Sequence, residues 1–227
     1  MHHDLVVLPD SATMAAEAAS RVAAAVCAVA EDGRRFDFAV SGGHTPWEMF
    51  AGLAGRDVPW EAVRIFQVDE RVAPDDDPAR NLTHLRSSLG GASPEIVAMP
   101  VGEPDLDVAA SSYAQALPER FDLVHLGLGP DGHTASLVPG DPVLQVDGRL
   151  VAVTRPYQGR RRMTLTYPGL ARAERLLWLV AGADKADALA RLLRGDRSIP
   201  AGRVRAERSV ILADAAAAPG QEAGSRP

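Results

Sequence analysis

The chain changes rhythm repeatedly, from short apolar runs to longer stretches in which apolar residues recur three or four positions apart. Runs of the first kind read as strands and stretches of the second as helices. Strands are predicted over 5–8, 36–40, 64–68, 96–99, 122–128, 150–153, 163–166, 176–181 and 209–212. Helices are predicted over 11–30, from Thr45 onward, and over 81–89, 108–117 and 184–193. The run at 122–128 is almost continuously apolar, as suits a strand buried on both faces. Ser11 supplies a hydroxyl able to cap the first helix. Ser41-Gly42-Gly43 interrupts the second strand, and Thr45-Pro46-Trp47-Glu48 has capping-box spacing, which starts the next helix at Thr45. Alternating strands and helices predict an α/β fold, a mostly parallel sheet covered on both faces. Ligands of such sheets sit beyond the carboxyl ends of the strands, near a topological switch point. From residue 215 the chain is small, polar and proline-containing, so one domain over 1–214 and a disordered tail over 215–227 are expected.

Composition narrows the class. A chain of 227 residues buries roughly 70% of its unfolded surface and needs no disulfide or metal to hold it together. The longest apolar run, 22–30, falls short of the ~20 residues of a bilayer span. No secretion signal is visible, and the single cysteine, Cys27, has no internal partner. A soluble, cytoplasmic protein with no membrane partner is expected. Thirty acidic against 24 basic residues gives a formal charge of −6, which disfavours nucleic acid as a partner. Lys185 is the only lysine, so there is no phosphate-loop GK[ST], and any Schiff base would have to form there.

Three motifs begin where an apolar strand stops. Ser41-Gly42-Gly43-His44-Thr45 joins a strand to a helix N-terminus, whose free N–H groups and partial positive charge suit an anion; a tight turn with no ligand has the same residues. Gly127-Leu128-Gly129-Pro130-Asp131-Gly132 matches G-x-G-x-x-G, but Pro130, His133-Thr134 and the lack of an acidic residue about 20 positions on argue against a dinucleotide. Its chemical content is Asp131 and His133, an imidazole suited to take a proton from water with a carboxylate near enough to set its tautomer. Asp69-Glu70-Arg71 is a surface ion pair or an arginine fork for phosphate, with Asp69 orienting it or a water. Arg155, Arg160, Arg161 and Arg162 form the one dense basic patch, suited to a small anion. Six histidines occur without H-E-x-x-H or cysteine pairs, so the expected chemistry is acid–base, without metal or cofactor.

The chain resembles 6-phosphogluconolactonases, within the wider family that includes glucosamine-6-phosphate isomerase/deaminases. The resemblance rests on Ser41-Gly42-Gly43-His44-Thr45-Pro46, on Val68-Asp69-Glu70-Arg71 with Asn81, on the segment from Leu126 to Leu137, and on Arg162-Met163-Thr164-Leu165-Thr166. It implies a three-layer α/β/α sandwich and cofactor-free hydrolysis of 6-phospho-D-glucono-1,5-lactone in the oxidative pentose phosphate pathway. His133 would be the general base, assisted by Asp131 and Asp69. The substrate and its phosphate would meet Ser41, Gly42, Gly43, Thr45, Arg71, Gly132, Arg155 and Arg162. The deaminase branch carries a glutamate five residues after the histidine, where this chain has Val138, which transfers no proton. The family's lysine-proline segment before Arg162 is replaced by Arg155-Pro156 at longer spacing, which leaves Arg155, Arg160 and Arg161 as candidates for its charge. The alternatives are the deaminase and a non-catalytic sugar-phosphate-binding protein. The expected partner is the small lactone alone, on a monomer or weak homo-oligomer.

Overall fold

The computed structural model describes residues 2–220. Seven parallel strands run through its centre: β1 (Asp4–Leu8), β2 (Phe36–Val40), β3 (Val63–Gln67), β5 (Glu95–Val97), β6 (Leu123–Gly127), β9 (Arg175–Val180) and β10 (Arg208–Asp214). Their order is β1-β10-β9-β6-β2-β3-β5. Side chains alternate across this sheet, so Phe36, Phe38 and Val40 of β2 enter one apolar core and Ala39 the other. The first core is closed by α1 (Ser11–Glu31), α2 (His44–Ala54) and α3 (Asn81–Leu89). The second is closed by α4 (Leu106–Ala116), the four-residue α5 (Tyr167–Leu170) and α6 (Ala186–Leu193). A small antiparallel sheet shares that side, built from β4 (Asp69–Arg71), β8 (Arg162–Leu165) and β7 (Val151–Val153) in the order β4-β8-β7. This is the expected three-layer α/β/α sandwich with its mostly parallel sheet.

Helix α1 is long and apolar enough to cross a bilayer by length and composition alone. Here Met14, Ala18, Val22, Val26 and Val29 form one buried stripe in the core shared with α2 and β10. A stripe buried against protein on one face, with the other face in solvent, is that of a core-covering helix.

The chain winds from β2 through β3 to β5 in one direction, then resumes at β6 on the other side of β2 and continues to β9 and β10. The switch point therefore lies between β2 and β6. Their ladder consists of Phe38↔Leu123 and Ala39↔Val124. Past it, the Ser41 N–H donates to the Nδ1 of His125 at 3.3 Å, a side-chain acceptor in place of a backbone carbonyl.

Several expected details move. Asp10, not Ser11, caps α1, accepting the Thr13 N–H at 2.7 Å. Helix α2 begins at His44 with Gly43 at its cap and no side-chain cap, and Glu48 lies beside the His44 ring instead of reaching back. The segment expected over 184–193 opens with a short 3-10 turn, Ala183–Lys185. Asp69–Arg71, read as the end of the third strand, is a strand of its own in the second sheet. Ala217 and Ala218, placed by composition in the tail, are buried, with both N–H groups on Asp214. Residues 221–227 of the expected tail lie outside the described residues.

Candidate active site

A cavity of about 490 Å³ opens at the switch point, beyond the carboxyl ends of β2, β6 and β9. Its walls are segments 41–46, 127–130 and 133–135, with Asp69, Arg71, Asn81, Tyr157, Gln158, Arg162, Leu179, Ala181 and Lys185.

His133 stands on the turn after β6. The Oδ1 of Asp131 lies 2.5 Å from its Nδ1 and also accepts its backbone N–H at 3.1 Å. Partial burial raises the Asp131 carboxyl, but these hydrogen bonds and the neighbouring ring outweigh it and hold the group below the usual carboxylate range. An ionised Asp131 accepts the proton of Nδ1 and leaves Nε2 as the basic nitrogen. Gly129 makes room for this pose, since a Cβ there would stand 2.1 Å from the imidazole Nδ1. Ala135, two residues on, adopts φ +51, a left-handed conformation an alanine holds only under tertiary constraint.

Features suited to an anion line the same cavity. Helix α2 has no side-chain cap, so its first N–H groups remain available. The Ser41 Oγ is buried without a hydrogen-bond partner among the described residues, as are the Nε atoms of Arg71 and Arg162. The antiparallel pairing of β4 with β8 sets Arg71 directly opposite Arg162, and Asp69 opposite Thr164. Arg71 is held by the Ala79 carbonyl (2.8 Å) and Asn81 Oδ1 (2.7 Å). Arg162 donates to Gln158 Oε1 at 3.2 Å, and its guanidinium lies 5.0 Å over the Tyr157 ring. Burial lowers the pKa of Arg162, and Arg71 adds to the effect, while the nearby Asp69 opposes it. Asp69 is buried, which pushes its carboxyl up against the hydrogen bond from Ser136 Oγ (2.6 Å). Among the described residues, no group of three or more histidine, cysteine or acidic side chains is arranged to hold a metal.

Ser41, Gly42, Gly43, Thr45, Asp69, Arg71, His133 and Arg162 thus line one cavity, with Asp131 hydrogen-bonded to His133. Two other expected residues do not. Gly132 lies outside the cavity, where a Cβ would meet Ile199 at 2.5 Å, and its carbonyl accepts the Ala201 N–H. Arg155 is exposed; its N–H donates to Asp141, and with Arg161 it lines a separate groove. Arg160 pairs with Asp77 at 3.3 Å, so of the four clustered arginines Arg162 alone reaches the cavity.

Sequence reading gave Tyr157 and Gln158 no role and Lys185 none beyond a possible Schiff base, yet all three line the cavity. Lys185 follows the end of β9, and being the only lysine was its sole signal. Glu70 is fully buried and accepts N–H groups of Asn81, Leu82 and Arg71 and the Gln67 side chain, which ties β4 to the start of α3.

An imidazole set by an aspartate, in one cavity with two arginines and an uncapped helix N-terminus at the switch point of a parallel sheet, is the arrangement of an α/β protein with a site suited to small anions. Comparison makes this specific. The model of the family described as glucosamine-6-phosphate isomerases/6-phosphogluconolactonase matches residues 9–212. The chain is similar to the 6-phosphogluconolactonase of Nostoc sp., 32% identical over 85% of either chain. It is also similar to that of Mycobacterium tuberculosis, 32% identical over 96% of this chain and 98% of the relative. The crystal structure of the Thermotoga maritima 6-phosphogluconolactonase superposes with a TM-score of 0.84 at 26% identity, covering 93% of this chain and 99% of that one. The chain belongs to the glucosamine-6-phosphate isomerase/6-phosphogluconolactonase family.

Proposed function

We propose that the chain hydrolyses 6-phospho-D-glucono-1,5-lactone to 6-phospho-D-gluconate in the oxidative pentose phosphate pathway, without metal and in the cytoplasm. The observation that carries this reading is the cross-strand pair Arg71↔Arg162. Like charges directly opposite each other destabilise a sheet, and here both guanidinium groups carry a buried Nε with no acceptor among the described residues. A phosphate dianion offsets the repulsion and accepts from both. Lys185, the Ser41 hydroxyl and the uncapped start of α2 line the same cavity. The names carried by relatives that cover nearly the whole chain support the same substrate.

With the phosphate held there, the lactone C1 comes to His133. A water gives its proton to Nε2 and its oxygen attacks C1. The tetrahedral oxyanion is stabilised by N–H groups of the 127–135 loop. As the C1–O5 bond breaks, the imidazolium returns the proton to the ring oxygen, leaving the open-chain acid. Asp131 holds the ring and stabilises its charged form. Asp69, near both arginines and held by Ser136, accepts a substrate hydroxyl or water. The deaminase reading loses support at Val138, which is buried, has no titratable group and does not line the cavity.

Lactone generated in place from glucose 6-phosphate by its dehydrogenase gives the assay, with loss followed against the spontaneous rate. Wild type should accelerate it, and His133→Ala should lose about 10²–10⁴-fold in kcat with KM largely kept. No acceleration by wild type, or a His133→Ala variant at full kcat, overturns the reading. Ammonia release from glucosamine 6-phosphate would move it to the deaminase, and tight sugar-phosphate binding without turnover to the non-catalytic protein.

A further inference from the structure

The segment that departs from the family pattern, Arg155 to Arg161, folds as a tight hairpin whose tip enters the site. The Tyr157 N–H donates to the Arg160 carbonyl at 2.9 Å and the Arg160 N–H donates back at 3.3 Å. Its two central residues, Gln158 and Gly159, have φ +52 and +80. Positive φ at both is the pattern of a type I′ turn, whose favoured pair is Asn-Gly. Glycine fits the second position, but a glutamine in the left-handed region is an unfavourable choice, and asparagine would tolerate it better. Gln158 nevertheless does something asparagine is one methylene too short to do: its Oε1 receives an Arg162 Nη2. Its neighbour Tyr157 supplies the ring under the same guanidinium and stands edge-on to His133, with centroids 5.8 Å apart.

We propose that Gln158 and Tyr157 are positioning residues that fix the Arg162 guanidinium for the anionic end of the substrate, with local turn stability given up at Gln158 for reach. The identity of that substrate rests on the lactonase reading above; the positioning itself does not. Held from one side by an amide oxygen and from below by a ring, Arg162 keeps its planar fork at a fixed angle, and its Nε is left for the ligand. The two roles of Gln158, turn residue and arginine holder, pull in opposite directions, which makes them separable.

Wild type, Gln158→Asn, Tyr157→Leu and Tyr157→Phe are to be compared by thermal unfolding, lactone kinetics and calorimetric titration with inorganic phosphate. Gln158→Asn should raise Tm by about 1–2 °C through better turn chemistry. The same variant should raise KM and the phosphate Kd about three- to tenfold, through loss of a charge-assisted hydrogen bond. Tyr157→Leu should raise both constants by a similar factor, and Tyr157→Phe should restore them, because the ring face carries the contact. A Gln158→Asn variant with unchanged phosphate Kd, or one that loses Tm and binding together, overturns the positioning role. So does a wild type that binds no phosphate. Wild type without lactone turnover, but with phosphate binding weakened by Gln158→Asn, removes the lactonase reading and leaves the positioning role standing.

Discussion

Asp131 and His133 lie two residues apart on a sharp turn, and whether the carboxylate reaches the ring decides which nitrogen is basic. It does reach, at 2.5 Å from Nδ1. Asp131→Asn keeps the shape but offers an amide that satisfies either tautomer and no longer stabilises an imidazolium. By analogy with triad aspartates, turnover should fall by about 10²-fold or more with KM little changed; kcat within threefold of wild type would remove Asp131 from the mechanism. Arg162→Ala should act on the other term, raising KM roughly 10–100-fold through loss of a charge-assisted contact. An unchanged KM would displace the phosphate from this arginine. The contact between Asp131 and His133 was legible in the sequence because they are neighbours in the chain. Choosing among Arg155, Arg160, Arg161 and Arg162 was not, because a hairpin reversal at Gln158-Gly159 turns the side chains of adjacent residues to different surroundings. Composition and spacing carry no record of which of them faces the cavity.

Elements with a long regular period were read nearly in full: β2 at 36–40 and α3 at 81–89 fall where the pattern puts them. The three-residue β4 was missed, since it is too short for a period and its partner β8 lies some 90 residues on, a pairing that only the tertiary fold can specify. What holds β4 in place is Glu70, whose carboxylate accepts two N–H groups at the start of α3 (2.8 and 2.9 Å) and stands 3.2 Å from Arg80 Nε. It serves α3 as a cap supplied from another element, since Arg80 at the cap position carries only donors and cannot accept a helix N–H. Glu70→Ala should cost about 3–5 kcal/mol, because it takes a buried carboxylate from beside the buried Arg80, which keeps only the Ala73 carbonyl and the exposed Asp75, and leaves two helix donors unpaired. For a chain of this size that is a Tm lower by roughly 6–20 °C. A thermal unfolding midpoint within 2 °C of wild type would show that the surrounding groups find other partners. Helix α2 shows the converse: its capping-box sequence is not used, because the helix starts one residue earlier, at His44, with Gly43 at the cap and Glu48 beside the His44 ring.

At the scale of the whole molecule, the sheet is seven strands wide and the cavity sits where its winding reverses, so the same strands that build the core aim the site. His125 connects the core to the site's edge through the Ser41 N–H. It lies fully buried on β6, with Nδ1 on the Ser41 N–H and Nε2 without a partner among the described residues. Burial lowers its pKa to about 3, and His3, half-buried against Trp178 and Ser209, is lowered to about 4, again by burial first. Unfolded histidines bind a proton near pH 6.5. Between that pH and these lowered values the unfolded chain therefore holds more protons than the folded one, and stability drops as the pH falls. Above about pH 7 the contribution is complete. Below pH 6.5 the slope from His125 approaches about 1.4 kcal/mol per pH unit, with a smaller share from the more accessible His3. Asp131 and Asp196, held low by their hydrogen bonds, act in the same direction only below the ordinary carboxylate range, so the histidine window is separate. Lowering the pH from 7 to 5 should thus lower Tm by about 4–8 °C through His125. His125→Asn, which can keep an acceptor for Ser41 but has no proton to bind, should flatten that slope while the fall below pH 4 persists. A variant with the wild-type slope between pH 7 and 5 would place the acid sensitivity elsewhere in the fold.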